Sequence, residues 1–379
     1  MLATKTLAVL GGGIVATAVI VAIAISFSGT VVDESVLPLS DTEMQDDPKI
    51  NVFASFYPYY ELTRNVAGSQ AEVRQFMPSG VEAHDWEPRA GDIRLLQDAN
   101  VFVYNGLGME SYIDRMISSG EYDHITFVNT SNGVELLKPV ENRITEHADD
   151  HADDDHSDER DDDHADERDD DHADERDDDH ADDHSDERDE SDDDHADEGH
   201  GHSFEYDPHI WLDPILLKQQ VVNIRDALIQ ADPTNAEMYQ QNASAYLTKL
   251  DAFDAKVTST LSGCTNYTVV TFHNAFTYFG QRYGLEMYSI GGLSPDTEAS
   301  ALELVQLTDF VKDNNIKIIF TEDLIDDRIA EVIAENTGAQ VMTLSTLEAL
   351  TLEESSKGMS FLDKMEQNLD KLEVALDCQ

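Results

Sequence analysis

The chain has 379 residues, with 24 Lys and Arg against 79 Asp and Glu, a formal net charge of −55. That balance excludes nucleic acid as a partner, because phosphate binding needs clustered Lys and Arg, and it excludes adsorption to an anionic lipid surface. Two cysteines, Cys264 and Cys378, are too few for a disulfide scaffold or a Cys-rich zinc module.

The charge is uneven. Residues 146–198 hold 32 acids and four Arg, a net of −28, which leaves −27 for the rest of the chain. That remainder has the apolar content to bury a core, and the full 379 residues suit two or three domains of roughly 100–200 residues each.

At the N-terminus, residues 6–32 contain no charge. About 20 apolar residues span a bilayer, and Lys5 supplies the flanking cation on the cytoplasmic side. The run is longer than the apolar region of a cleaved signal, roughly 7–15 residues, so an uncleaved anchor is expected. Cleavage would leave a secreted or periplasmic protein instead. No Cys lies near it, which excludes a bacterial-type lipid anchor. Residues 1–32 are therefore the anchor or signal and 33–49, acidic and Pro-containing, an extracytoplasmic tether. In that compartment Cys264 and Cys378 can pair. Cys264 precedes a strand and Cys378 lies near the chain end, so a bridge pins the terminal helix.

Beyond the tether, strand-like runs at 50–56, 73–77, 101–104 and 125–128 alternate with helical patterns at 59–67 and 91–98. The low-complexity tract follows. DDDHADER occurs at 161–168 and again at 169–176, with almost nothing to bury, so 146–202 is expected to be a disordered His/Asp/Glu-rich insertion. Helical patterns resume at 214–230 and 233–261. A second series has strands at 268–272, 287–290, 316–320 and 341–344, with helices at 302–314 and 329–337. The expected fold is α/β, with two lobes that each carry a parallel sheet flanked by helices. The divisions are an N-terminal lobe at 50–232, a linking helix at 233–262 and a C-terminal lobe at 263–379. Ligands in such sheets sit beyond the carboxyl ends of the strands, which places the site in the cleft between the lobes.

Of 14 His, ten fall in the tract: His147, His151, His156, His164, His172, His180, His184, His195, His200 and His202. Among the carboxylates they offer weak auxiliary metal sites; the plainer alternative is a solvated insertion that aids solubility. His84, His209 and His273 each stand at a strand or loop end beside Pro, Asp or an aromatic. Three imidazoles meeting at one point make a borderline-soft nitrogen site suited to zinc. Taken singly, each is as well explained as a satisfied core or surface residue, and His124 in GEYDHIT keeps that explanation.

Four segments carry a resemblance. FASFYPYYELTRNVAG, MPSGVEAHDWEPRAGDIRLLQDANVFVYNGLGME, DPHIWLDP and VTFHNAFTYFGQRYGL, in that order, resemble the metal-binding solute receptors of ABC importers, in their zinc/manganese cluster. The likeness covers nearly all of 50–379, including the His-rich insertion before the second His motif. It implies two lobes joined by a rigid long helix with one metal ion between them, bound by His84, His209 and His273. The fourth position is open. Ser345 stands where manganese members carry Asp, and Glu348 fits zinc-binding relatives closed by Glu; Glu82 or a water are the alternatives. The resemblance also implies Zn2+ as transported cargo rather than Mn2+, a membrane permease and its ATPase as partners, and a monomer. Phe56, Tyr57 and Trp86 either line the cleft or pack in the core.

The competing functions are a manganese or iron receptor of the same family, a surface adhesin with structural zinc, and a zinc hydrolase. Three protein ligands plus water is a catalytic geometry too. Against an enzyme, the sequence has no H-E-x-x-H, G-x-S-x-G or Walker A motif.

Overall fold

The computed structural model of the protein describes residues 49–140, 204–289, 291–293, 300–324 and 327–379. The apolar run 6–32, the tether as far as residue 48 and the acidic insertion with its ten His lie outside the described residues. Among the described residues no helix is long and apolar enough to cross a membrane.

Two all-parallel four-stranded sheets organise the chain. The first contains β1 (Ile50–Ala54), β2 (Ala71–Gln75), β3 (Val101–Tyr104) and β4 (Thr126–Asn129), in the order β2-β1-β3-β4. The second contains β5 (Thr268–Thr271), β6 (Glu286–Ser289), β7 (Ile318–Thr321) and β8 (Gln340–Thr343), in the order β6-β5-β7-β8. Val52 lies opposite both Val73 and Val101, and Val270 opposite both Tyr288 and Ile319. Central strands covered on both faces must be apolar throughout, and β7 (IIFT) is buried at every position. Each sheet reverses its strand order between its two central strands, which opens a crevice at their carboxyl ends.

The helices are α1 (Tyr57–Ala67), α2 (Ala90–Leu95), α3 (Ile113–Ser119), α4 (Leu216–Ala231), α5 (Ala236–Leu261), α6 (Thr277–Tyr283), α7 (Ala301–Asp313), α8 (Arg328–Thr337), α9 (Leu352–Lys357) and α10 (Phe361–Ala375). Most run close to expectation. The first strand stops at Ala54 rather than 56, because Pro58 in the first turn of α1 starts a helix there. The pattern at 91–98 is α2 followed by a 3-10 turn, Leu96–Asp98. Helices α3, α6 and α9 have six or seven residues, too few for a visible period.

The long helical pattern opens as a 3-10 turn at Pro233–Asn235, and α5 then runs for 26 residues, about 39 Å. One face buries Tyr239, Ala243, Tyr246, Leu250, Phe253, Val257 and Leu261. This stripe packs on α1 and α4 in the first lobe and on α6 and α10 in the second. The core cluster it belongs to reaches from Val52 and Val103 to Val269 and Phe320. Each large apolar side chain buried this way contributes about 1.5–3 kcal/mol, so both lobes are held to one rod. Smaller clusters cover the outer faces, around Phe76 and Phe102 in the first lobe and around Leu307 and Ile319 in the second. Cys264 and Cys378 form the expected disulfide, joining the segment after α5 to the end of α10.

Candidate metal centre

The three histidines arrive from separate loops at the carboxyl ends of the strands. His84 follows β2. Its loop is fixed by Glu82, whose carboxylate accepts the backbone N–H of His84 at 3.0 Å and of Asp85 at 3.1 Å. His273 lies just beyond β5, and Thr271 Oγ1 donates to its carbonyl at 2.8 Å. His209 sits in DPHIWLDP, before the 3-10 turn Ile210–Leu212 that leads to α4. Asp213 closes that motif by accepting the N–H groups of Ile215 and Leu216, and it pairs with Arg282 of α6 at 2.5 Å.

The loop after β3 buttresses His209 from behind. Asn105 Nδ2 donates to the Pro208 carbonyl at 3.0 Å, and Tyr59 Oη donates to Asn105 Oδ1. Glu110 then fixes Asn105: its carboxylate accepts Ser55 Oγ at 2.6 Å, Asn105 N–H at 2.8 Å and Gly106 N–H at 3.1 Å. Burial raises the Glu110 carboxyl from its ordinary 4.5 to about 7, against these donors. The folded state therefore binds more protons than the unfolded chain between about pH 4.5 and 7. Stability from this group falls as pH rises through that window and is level above it, a change of up to about 3 kcal/mol. Glu110→Gln should remove that slope. Urea unfolding of both proteins from pH 5 to 8 checks it, and parallel curves would assign the slope to another group.

At the centre, His84 Nε2 and His209 Nε2 are 3.4 Å apart, and His273 Nε2 and His209 Nε2 are 3.3 Å apart. Glu348 Oε1 approaches to 3.6 Å from His84 Nε2 and 3.9 Å from His209 Nε2. All four ligand atoms lie within 4.8 Å of one another, and all four residues are buried. A tetrahedral ion with bonds of about 2.0–2.1 Å sets its ligands about 3.3 Å apart, close to the spacing of His209 Nε2 from the other two ring nitrogens.

Second carboxylates orient two of the rings. Asp207 Oδ1 accepts both the backbone N–H and Nδ1 of His209, at 2.9 and 2.8 Å. Glu322 Oε1 accepts the His273 backbone N–H, and its Oε2 lies 2.5 Å from Nδ1. A proton held on Nδ1 leaves the lone pair on Nε2, facing the cluster. Lone pairs facing each other at this distance out of water need a cation between them. Glu348 Oε1 is likewise buried with no hydrogen-bond partner.

The electrostatics agree. Burial works against charge on His84, yet the Glu348 carboxylate prevails and lifts the imidazole to about 9. Burial also disfavours charge on Glu348, and His84, followed by His273 and His209, pulls its carboxyl down to about 2. Burial lowers His209 despite Asp207. His273 is raised, burial being outweighed by Glu322. A metal ion thus competes with a proton on His84.

The remaining candidates separate. His124 is exposed in its loop, apart from the cluster. Glu82 caps its own loop, and burial and then Glu348 raise its carboxyl to about 7; with Val81, Leu324 and Ala349 it lines a narrow opening beside Glu348. Ser345 Oγ donates to Asp323. Phe56 packs edge-on against Trp211, and Tyr57 Oη donates to the Met359 carbonyl at 3.3 Å. Trp86 packs on Phe76 and Tyr112. Asp207 is legible in the sequence, two residues before His209 in DPHIWLDP. Glu322 is not, because 49 residues separate it from His273.

The chain matches, over residues 52–375, the family described as zinc-uptake complex component A, periplasmic. It belongs to that family. It is 35% identical over 328 residues to the high-affinity zinc uptake system protein ZnuA of Bacillus subtilis, covering 86% of this chain and 88% of the relative. It is 32% identical to the zinc-binding lipoprotein AdcA of Streptococcus pneumoniae, over 88% of this chain but only 57% of AdcA's length. The crystal structure of the Zn(II)-bound ZnuA-like domain of that AdcA superposes with a TM-score of 0.64 at 28% identity, covering 87% of this chain and all of the domain.

Proposed function

We propose that this protein is a high-affinity zinc receptor that works outside the cytoplasmic membrane and hands its metal ion to an ABC-type importer. The observation that carries this is the cluster itself: three imidazole nitrogens and one carboxylate oxygen, all buried and within 4.8 Å of one another, with two of the nitrogen pairs 3.3 and 3.4 Å apart. In this reading His84, His209, His273 and Glu348 are the ligands, and the ion lies between lobes 50–232 and 263–379, which the segment 233–262 joins. A nitrogen-rich set favours zinc over manganese, which prefers oxygen ligands. Glu348 takes the fourth position that a catalytic zinc keeps open for water, so the site suits carriage better than hydrolysis. Hydrolysis of peptides or esters by the zinc-loaded protein, abolished in His84→Ala, would overturn that. The partners are the importer's permease and ATPase, reached from a membrane tether at the N-terminus. The His-rich insertion collects metal weakly, through imidazoles that lose their metal to protons below about pH 6.5.

Metal analysis of protein purified without added metal, followed by calorimetric titration of the full chain and of a variant lacking 146–202, tests this. One tight zinc is expected in both, with several weak equivalents in the full chain alone. Absence of the tight zinc, or tighter binding of manganese, would overturn the zinc reading. Identical stoichiometry would leave the insertion without a metal role.

A further inference from the structure

We infer that Trp211 and Asn368 are positioning residues for Glu348, holding consecutive peptide groups of its loop from opposite lobes. The inference rests on the zinc reading of the site. Glu348 follows β8 on a loop, 344–351, with no regular secondary structure. The residue before it, Leu347, has φ 59°, a left-handed conformation that a non-glycine residue keeps only where its surroundings impose it.

Those surroundings are specific. From α10, Asn368 Oδ1 accepts the Ser345 N–H at 2.9 Å, and its Nδ2 donates to the Ser345 carbonyl at 2.7 Å. One amide thus satisfies both polar groups of one peptide residue, as a neighbouring strand would. The next carbonyl, of Thr346, accepts the Trp211 indole N–H at 2.7 Å. Trp211 belongs to the first lobe, two residues beyond His209, and is fully buried. Leu347 N–H donates to Ser345 Oγ at 3.2 Å, and that hydroxyl donates in turn to Asp323. Lys364, also on α10 and buried, joins Asp323 at 2.7 Å to Glu354 at 2.9 Å, so it ties the base of the loop to the helix beyond it.

The consequence is directional. A ligand that hangs on an irregular loop reaches its metal only if the peptide groups beneath it are fixed. Asn368 fixes them within the second lobe. Trp211 makes the position of Glu348 depend on the first lobe as well, so widening the cleft loosens the carboxylate by breaking one hydrogen bond.

The test is a pair of double-mutant cycles on zinc affinity and dissociation rate. Trp211→Phe keeps an aromatic ring beside His209 and removes the N–H. Asn368→Leu keeps the volume and removes both bonds. Each should weaken zinc binding by about 10–100-fold, the range for groups that support a metal ligand, and speed dissociation. In a Glu348→Ala background, where the three histidines still bind, each should have almost no further effect. Equal losses in both backgrounds would overturn the inference, since they would mean action on the histidines or on the fold. No loss in either would also overturn it. If Trp211→Phe does not fold, as judged by circular dichroism, the Asn368→Leu cycle decides by the same criteria. Failure of the unmodified protein to bind zinc would instead overturn the zinc reading and is seen before any variant is made.

Discussion

Replacing His84, His209 or His273 with alanine, one at a time, is expected to lower zinc affinity by about 10²–10³-fold each, while His124→Ala leaves it within about twofold. The magnitude follows from sharing the roughly 10–16 kcal/mol of a four-ligand zinc site among its ligands, about 3 kcal/mol apiece. The three losses should differ in their side effects. His209→Ala also leaves Asp207 buried without the ring that satisfies it, and His273→Ala does the same to Glu322. Each carboxylate keeps one backbone N–H but loses its ring partner, and a buried carboxylate short of a hydrogen bond is costly, so both variants should unfold at lower temperature even without metal. His84 has its main charge partner in Glu348, and in His84→Ala the carboxyl can take up a proton instead. Its loop stays anchored through Glu82. Isothermal titration with zinc, and thermal unfolding of the apo proteins, separate these effects. Equal loss at all four histidines would refute the assignment of the cluster.

The legible parts of this molecule were those with a local signal. Parallel strands such as VFVY and IIFT are continuous apolar runs, and α5 shows its period over seven buried positions. His84, His209 and His273 were legible because each stands in a short motif at a strand or loop end. The fourth position was harder. Ser345 and Glu348 are three residues apart on an irregular loop, and what turns Glu348 inward is the conformation of Leu347 together with contacts from Trp211 and Asn368. Those partners lie 135 and 23 residues from the groups they hold. The same applies to Glu110, which acts on His209 through Asn105 and the Pro208 carbonyl. Long-range hydrogen bonds leave no periodicity, so they are seen only once the chain is folded.

Removing the disulfide, by Cys264→Ser and Cys378→Ser together, should lower stability by about 2–4 kcal/mol and leave zinc affinity within about twofold. The bridge spans a sequence separation of 114, and closing a loop of that length restricts the unfolded chain by up to about 5 kcal/mol. Part of that is replaced by contacts that persist without it. The N–H groups of Thr265 and Asn266 both donate to the Leu376 carbonyl, at 3.2 and 3.1 Å, and Gln379 N–H donates to Gly263 at 3.2 Å. At roughly 2–4 °C per kcal/mol, the melting temperature should drop by about 5–15 °C. Zinc affinity is spared because of where the bridge lies. Cys264 precedes β5 and His273 follows it, so the whole strand, four residues and about 13 Å of extended chain, lies between them. The bridge anchors the far end of α10, while Asn368 and Lys364 act nearer its start. Saturating zinc should therefore raise the melting temperature of both proteins by a similar amount, since that gain depends on affinity alone. Alkylation under denaturing conditions should find no free thiol before reduction and two after it. A variant that melts normally but binds zinc tenfold more weakly would mean that the bridge holds the site rather than the fold, contrary to this account.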